Sequence, residues 1–168
     1  GLVRNQSVLN LILNIIDGQT RPTPSISQSF EDCDLASIGQ SSFQISTHSP
    51  VELHVYDSQN RHIGPAPSGD LELNIPESSY ERIGENSFAF VPASDEYRIV
   101  IDALSRGKFD LEIRAMSGIT VSSTVSFLSV PLESGSTVAE MDFDQIDSGL
   151  ELQLDNDGNG SVDKVIAP

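Results

Sequence analysis

The chain has 168 residues, no tryptophan, one cysteine, and nine lysines and arginines against 25 aspartates and glutamates. A single cysteine excludes a disulfide within the chain, and a chain of this length can bury a full core without one. Cys33 lies in "FEDCDLAS", among acidic side chains. The cations that lower a thiol's pKa are missing there, so it reads as an inert small residue. The formal charge is −16, and the few cations are scattered. Nucleic-acid phosphates need clustered Lys and Arg, and anionic membrane surfaces attract the same residues, so neither is expected as a partner. Acidity favours solubility and cation binding instead.

No apolar run reaches the ~20 residues of a membrane span. The longest candidate, "VLNLILNII", is interrupted by Asn10 and Asn14. A signal peptide is not expected, because Arg4 alone would form the charged region and no small-residue cleavage site follows. An exported protein would therefore carry this chain as a mature form or a fragment.

Catalytic patterns are also missing. "GQSSF" at 39–43 fails the G-x-S-x-G elbow at its last position and precedes a strand pattern, not a helix. His48, His54 and His62 show neither H-x-x-x-H nor H-E-x-x-H spacing. They read as surface residues, with His54 on the polar face of a strand and His62 in a turn. Carboxylate pairs in so acidic a chain cannot be told from solvated faces. Gly158 and Gly160 lie between carboxylates, which repel phosphate. The expectation is that this chain is not itself an enzyme.

What is present begins with "NQSVLNLILNIID", residues 5–17. Asn5 or Ser7 can cap a helix there, and Gly18 suits its C-terminal end. Gln6, Asn10 and Asn14 form a polar stripe, and apolar residues cover the rest. So wide an apolar face must pack against something, which makes self-association through this helix possible. Residues 1–20 look like the end of a preceding domain. The Pro/Ser-rich stretch 21–41 reads as a linker.

From residue 42 the apolar period becomes two. Val51, Leu53 and Val55 alternate with Glu52, His54 and Tyr56; Phe109, Leu111 and Ile113 alternate with Asp110, Glu112 and Arg114. "SFQIST", "DLELNI" (Leu71, Leu73, Ile75), "SFAFVP" (Phe88, Phe90), "EYRIVIDAL", "ITVSSTVSFLSV", "TVAEMDF", "LELQL" and "SVDKVI" complete the set. Turn residues separate them. Alternation of this kind marks half-buried antiparallel strands. The expected fold is mainly β: an antiparallel two-layer β-sandwich over 42–168, immunoglobulin-like or jelly-roll-like, with one N-terminal helix. The lack of Trp argues against a Trp-centred immunoglobulin core.

The most specific chemistry is "DNDGNGSVD", residues 155–163. Calcium takes about six to eight hard oxygen ligands, and a short loop supplies them when alternate residues point oxygens inward. Asp155, Asp157 and Asn159 occupy loop positions one, three and five, and Gly160 permits the sharp turn. Ser161 would use its backbone carbonyl, and Asp163 at position nine would bind directly or through water. Position twelve, normally a bidentate Glu, is Ile166. The loop alone then offers about five oxygens, below the usual range. Water, or Asp142, Asp144 and Asp147, would complete the shell. The same residues also suit a plain hairpin turn, and the two readings are compatible.

This loop resembles the first three quarters of an EF-hand loop and the Asp-rich repeats of dockerin and thrombospondin type 3 modules. "EYRIVIDALSRGKFDLEIRA" is similar to the repeating end of bacterial pre-peptidase C-terminal domains, which are secreted β-sandwiches. With "SPVELHVYDSQNRHIG" and the terminal "LDNDGNGSVDKVIAP", the order resembles C-terminal modules of secreted bacterial and archaeal lipase-like α/β-hydrolases. "NQSVLNLILNIIDG" looks like the last helix of such a hydrolase. The resemblance implies an extracellular or cell-surface accessory domain, with calcium as cofactor and an upstream hydrolase domain of the same polypeptide as partner. The alternative is a glycan- or cell-surface-binding adhesion module.

Overall fold

The computed structural model describes residues 41–146 and 149–168. The expected helix at 5–17, most of the linker and Cys33 lie outside these residues. Ser41, placed at the end of the linker by the sequence, opens the first strand.

Twelve strands follow: β1 (Ser41–His48), β2 (Val51–Asp57), β3 (His62–Pro65), β4 (Leu71–Leu73), β5 (Ser79–Ile83) and β6 (Asn86–Pro92), then β7 (Tyr97–Ala103), β8 (Gly107–Ser117), β9 (Thr120–Leu132), β10 (Val138–Phe143), β11 (Leu152–Asp155) and β12 (Lys164–Ile166). Among the described residues they form two antiparallel sheets. One has the order β5-β6-β1-β8-β9, the other β12-β11-β10-β7-β2-β3-β4. Consecutive strands β1 and β2 lie in different sheets, so the chain crosses between layers early and repeatedly.

The period-two pattern decides which face turns inward. Val51, Leu53 and Val55 of β2, Ile99 and Ile101 of β7, and Phe109, Leu111 and Ile113 of β8 are buried, while their polar neighbours face out. Side chains of both sheets join one hydrophobic cluster. Phe43 of the smaller sheet meets Tyr97 and Phe143 of the larger one edge-on, at centroid distances of 6.3 and 5.1 Å. The architecture is thus mainly β and sandwich-like, as the alternation predicts.

Several details differ from the sequence reading. In β6 it is Ala89 and Val91 that are buried, with Phe88 and Phe90 on the outer face. Ile45 pairs with Ala89, so a small residue suits the inward position beside it. Leu71 and Leu73 are about half exposed, and only Ile75 of "DLELNI" enters the core. Strand β4 is a sheet edge with nothing packed beyond it in its sheet. His62 is not in a turn. It opens β3 and is only 9% exposed.

Candidate metal site

Strands β11 and β12 form a hairpin in which Leu152 faces Ile166 and Leu154 faces Lys164. The loop between them begins and ends on fixed points. Asp163 donates its N–H to the Leu154 carbonyl at 2.8 Å, and Asn156 donates its N–H to Asp163 Oδ2 at 2.9 Å. Short polar side chains favour such local bonds to nearby backbone.

Asp155 organises the interior of the loop. Its Oδ1 accepts from the N–H groups of Gly158 (2.8 Å) and Asn159 (3.2 Å), and its Oδ2 accepts from Gly160 (2.6 Å). Desolvation alone would raise its pKa. The Gly160, Gly158 and Asn159 donors outweigh it and hold the carboxyl below its ordinary value. Asp157 Oδ1 accepts from Asn159 N–H at 3.2 Å, and Asn159 Oδ1 accepts from Ser161 N–H at 2.8 Å. Gly158 and Gly160 both have positive φ, 74° and 84°, which coils the backbone around the carboxylates.

Carboxylate oxygens of Asp155, Asp157 and Asp163 lie within 4.8 Å of one another. Three negative groups this close repel unless a cation or donors intervene. Of the five residues the sequence selects, these three converge. Asn159 and Ser161 belong to the same loop and are bonded to each other.

The loop docks on the turn between β9 and β10. Ser134 Oγ and Thr137 Oγ1 both donate to the Asn156 carbonyl, at 2.9 and 3.0 Å. This docking surface was not expected from the sequence. Its only signal is a run of Ser and Thr in "ESGST".

The borrowed ligands fare differently. Val138 of β10 pairs with Asp155. Asp142 is four residues further along β10, which at about 3.4 Å per residue places it roughly 13 Å away, and Asp144 is further still. Neither borders the loop, and Asp147 lies outside the described residues. Ile166, at loop position twelve, packs against the core. The hairpin has turned that position inward, so it cannot face a cation held by the three aspartates.

A scan against protein-family models, a search of curated proteins and a search of solved structures each found no match.

Proposed function

We propose that this chain is a non-catalytic β-sandwich module whose C-terminal hairpin is fastened by calcium, and that it serves an extracellular hydrolase as an accessory domain for stability or attachment. The observation that carries the metal part is the convergence of Asp155, Asp157 and Asp163 within 4.8 Å. All-oxygen donors select a hard cation. Calcium would bind Asp155, Asp157 and Asp163, with Asn159, the Ser161 carbonyl and water completing the shell. Extracellular calcium modules work at about 10⁻⁴ to 10⁻³ M, which suits an incomplete protein cage. The hydrolase partner rests on the sequence resemblance alone.

The glycan-binding alternative needs a free aromatic platform. Tyr80 and Tyr97 are buried in the core, Tyr56 is in contact with His62 and Arg98, and Phe88 and Phe90 on the outer face of β6 are only partly exposed. No observation favours that reading over the first.

The test is thermal unfolding in calcium and in chelator. At 10 mM, calcium is at about ten to a hundred times a Kd of about 10⁻³ to 10⁻⁴ M and stabilises by about 1.4–2.7 kcal/mol, which for a domain of this size raises Tm by roughly 3–10 °C. The gain should vanish in Asp155→Asn combined with Asp163→Asn. An unchanged Tm in 10 mM calcium sinks the metal reading.

A further inference from the structure

On the solvent side of the larger sheet, four strands bring two imidazoles and two carboxylates into one row. Glu72 of β4 meets His62 of β3, with Oε2 and Nδ1 2.8 Å apart. His62 Nε2 meets His54 Nδ1 of β2 at 3.0 Å. His54 Nε2 reaches Asp102 Oδ2 of β7 at 3.4 Å. Both imidazole side chains are about nine-tenths buried, whereas the two carboxylates are nearly half exposed.

Register and one glycine create the row. Tyr56 pairs with His62, and Gly64 pairs with Glu72. A Cβ on Gly64 would lie 2.7 Å from the Leu53 carbonyl oxygen and 3.0 Å from His62 Nε2. With no side chain there, the His62 ring can lean along the strand onto His54. The Tyr56 ring stacks on His62 at 4.8 Å and fixes its tilt. The ring centroids of His54 and His62 are 5.2 Å apart, close to the nitrogen gap plus the two ring radii. The rings therefore meet end to end, which is the geometry of an N–H···N bond and leaves no room between them for a metal ion.

The two shorter links are hydrogen bonds and need one proton each, while the His54–Asp102 contact at 3.4 Å is an approach of opposite polarity. The His54–His62 bond holds only while one of its two facing nitrogens is without a proton. We propose that Glu72, His62, His54 and Asp102 form a latch, which ties the β3–β4 edge to the centre of the sheet and opens when acid leaves both imidazoles charged. In the closed state one proton lies between His62 Nδ1 and Glu72 and one between His62 Nε2 and His54 Nδ1. With both rings charged, two N–H groups face each other across the central gap, and that link breaks.

The other groups around the row fit this assignment. Burial is the largest influence on His54 and lowers its pKa; Asp102 opposes it, the His62 charge adds to it, and Glu52 opposes it. Glu52 is engaged by Arg82 at 3.8 Å. Arg98 on β7 lies over Tyr56 and pairs with Glu140 of β10, and Arg61 is bound to Asp57. The cations nearest the row are thus partnered elsewhere, which leaves Glu72 and Asp102 as the charges that face the two imidazoles.

The experiment is ring ¹⁵N NMR of the full chain at pH 7, with amide exchange in β3 and β4 followed down to pH 5. The expected ring spectra show a proton on only one of the two facing nitrogens, His62 Nε2 and His54 Nδ1, at pH 7, and on both at pH 5. Protons on both facing nitrogens at pH 7, or a neutral His54 at pH 5, overturn the latch. His54→Gln can accept from His62 and donate to Asp102 but cannot take up a proton. Protection of β3 and β4 amides should fall at least tenfold at pH 5 in the unsubstituted chain, after correction for intrinsic exchange, and stay constant in this variant. Equal loss in both also overturns the proposal. Calcium saturation throughout keeps this readout separate from the hairpin loop.

Discussion

The Ser136 carbonyl oxygen lies 2.8 Å from the place a Cβ on Gly158 would occupy. The loop at 155–163 thus presses its backbone against the β9–β10 turn at a point where no side chain fits. Gly160, with nothing within 4 Å of its own Cβ position, provides the comparison. Both residues have positive φ, which costs an L-residue about 1–2 kcal/mol. Gly160→Ala should lose that amount, and Gly158→Ala measurably more, because the Ser136 backbone must also move. Chemical denaturation of the two variants in chelator checks the order.

Ile166 offers a second prediction. Replacing it with Glu restores the residue type that an EF-hand has at position twelve, but on a side that faces the core. Calcium affinity by calorimetry should not improve. Stability in chelator should fall by about 1–3 kcal/mol, since a partly buried apolar side chain is lost and a charge takes its place. Tighter calcium binding would show that the hairpin can re-register to face the ion.

Asp57 holds the turn between β2 and β3. Its carboxylate accepts from the N–H of Gln59 (3.0 Å), the N–H of Arg61 (2.8 Å) and the Arg61 guanidinium. Burial alone would raise its pKa; the Arg61 backbone and side chain, with Gln59, outweigh that and lower it below the ordinary 3.8. A depressed carboxyl contributes stability that is present above the unfolded-state value and lost as pH falls through the folded one. Asp57→Asn should cost about 2 kcal/mol at neutral pH and flatten the stability profile below pH 4. Urea midpoints across the acid range measure both effects.

Tyr97 gives the alkaline counterpart. Burial, then the nearby Asp95 and Asp57 charges, push its phenol up to about 12, and its hydroxyl donates to the Pro92 carbonyl at 2.7 Å. A raised phenol contributes stability that is complete below the unfolded value of 10.0 and is lost as pH rises toward about 12. Burial also raises Tyr80, so phenolate absorbance should show two of the three tyrosines titrating late and together with unfolding. In Tyr97→Phe the late step should shrink to one tyrosine.

The long alternating strands were legible because each carries its own evidence. Val51, Leu53 and Val55 declare an inward face without reference to any neighbour. β3 and β5 were not. "HIGP" is four residues long and contains Gly and Pro, and in "SYERI" only Tyr80 is buried; both depend on pairing with another strand. Phe88 and Phe90 misled because alternation shows a period but not which phase is inward, and Ala89 is the weaker signal. The aspartate loop was legible because its members lie within one short stretch. The histidine row was not, because His54, His62, Glu72 and Asp102 come from four strands and meet only once the register is set.

The three-residue strand β12 forms one rim of the larger sheet. A rim so short, opening with Lys164, presents few free backbone groups to a foreign strand and blunts edge-to-edge recruitment. The aspartate loop is what returns the chain to lay β12 in place. Its geometry therefore bears on colloidal behaviour as well as on folding: a chain cut after Asp163 would leave β11 as the new rim. It should scatter light and bind amyloid dyes at concentrations where the full chain stays clear.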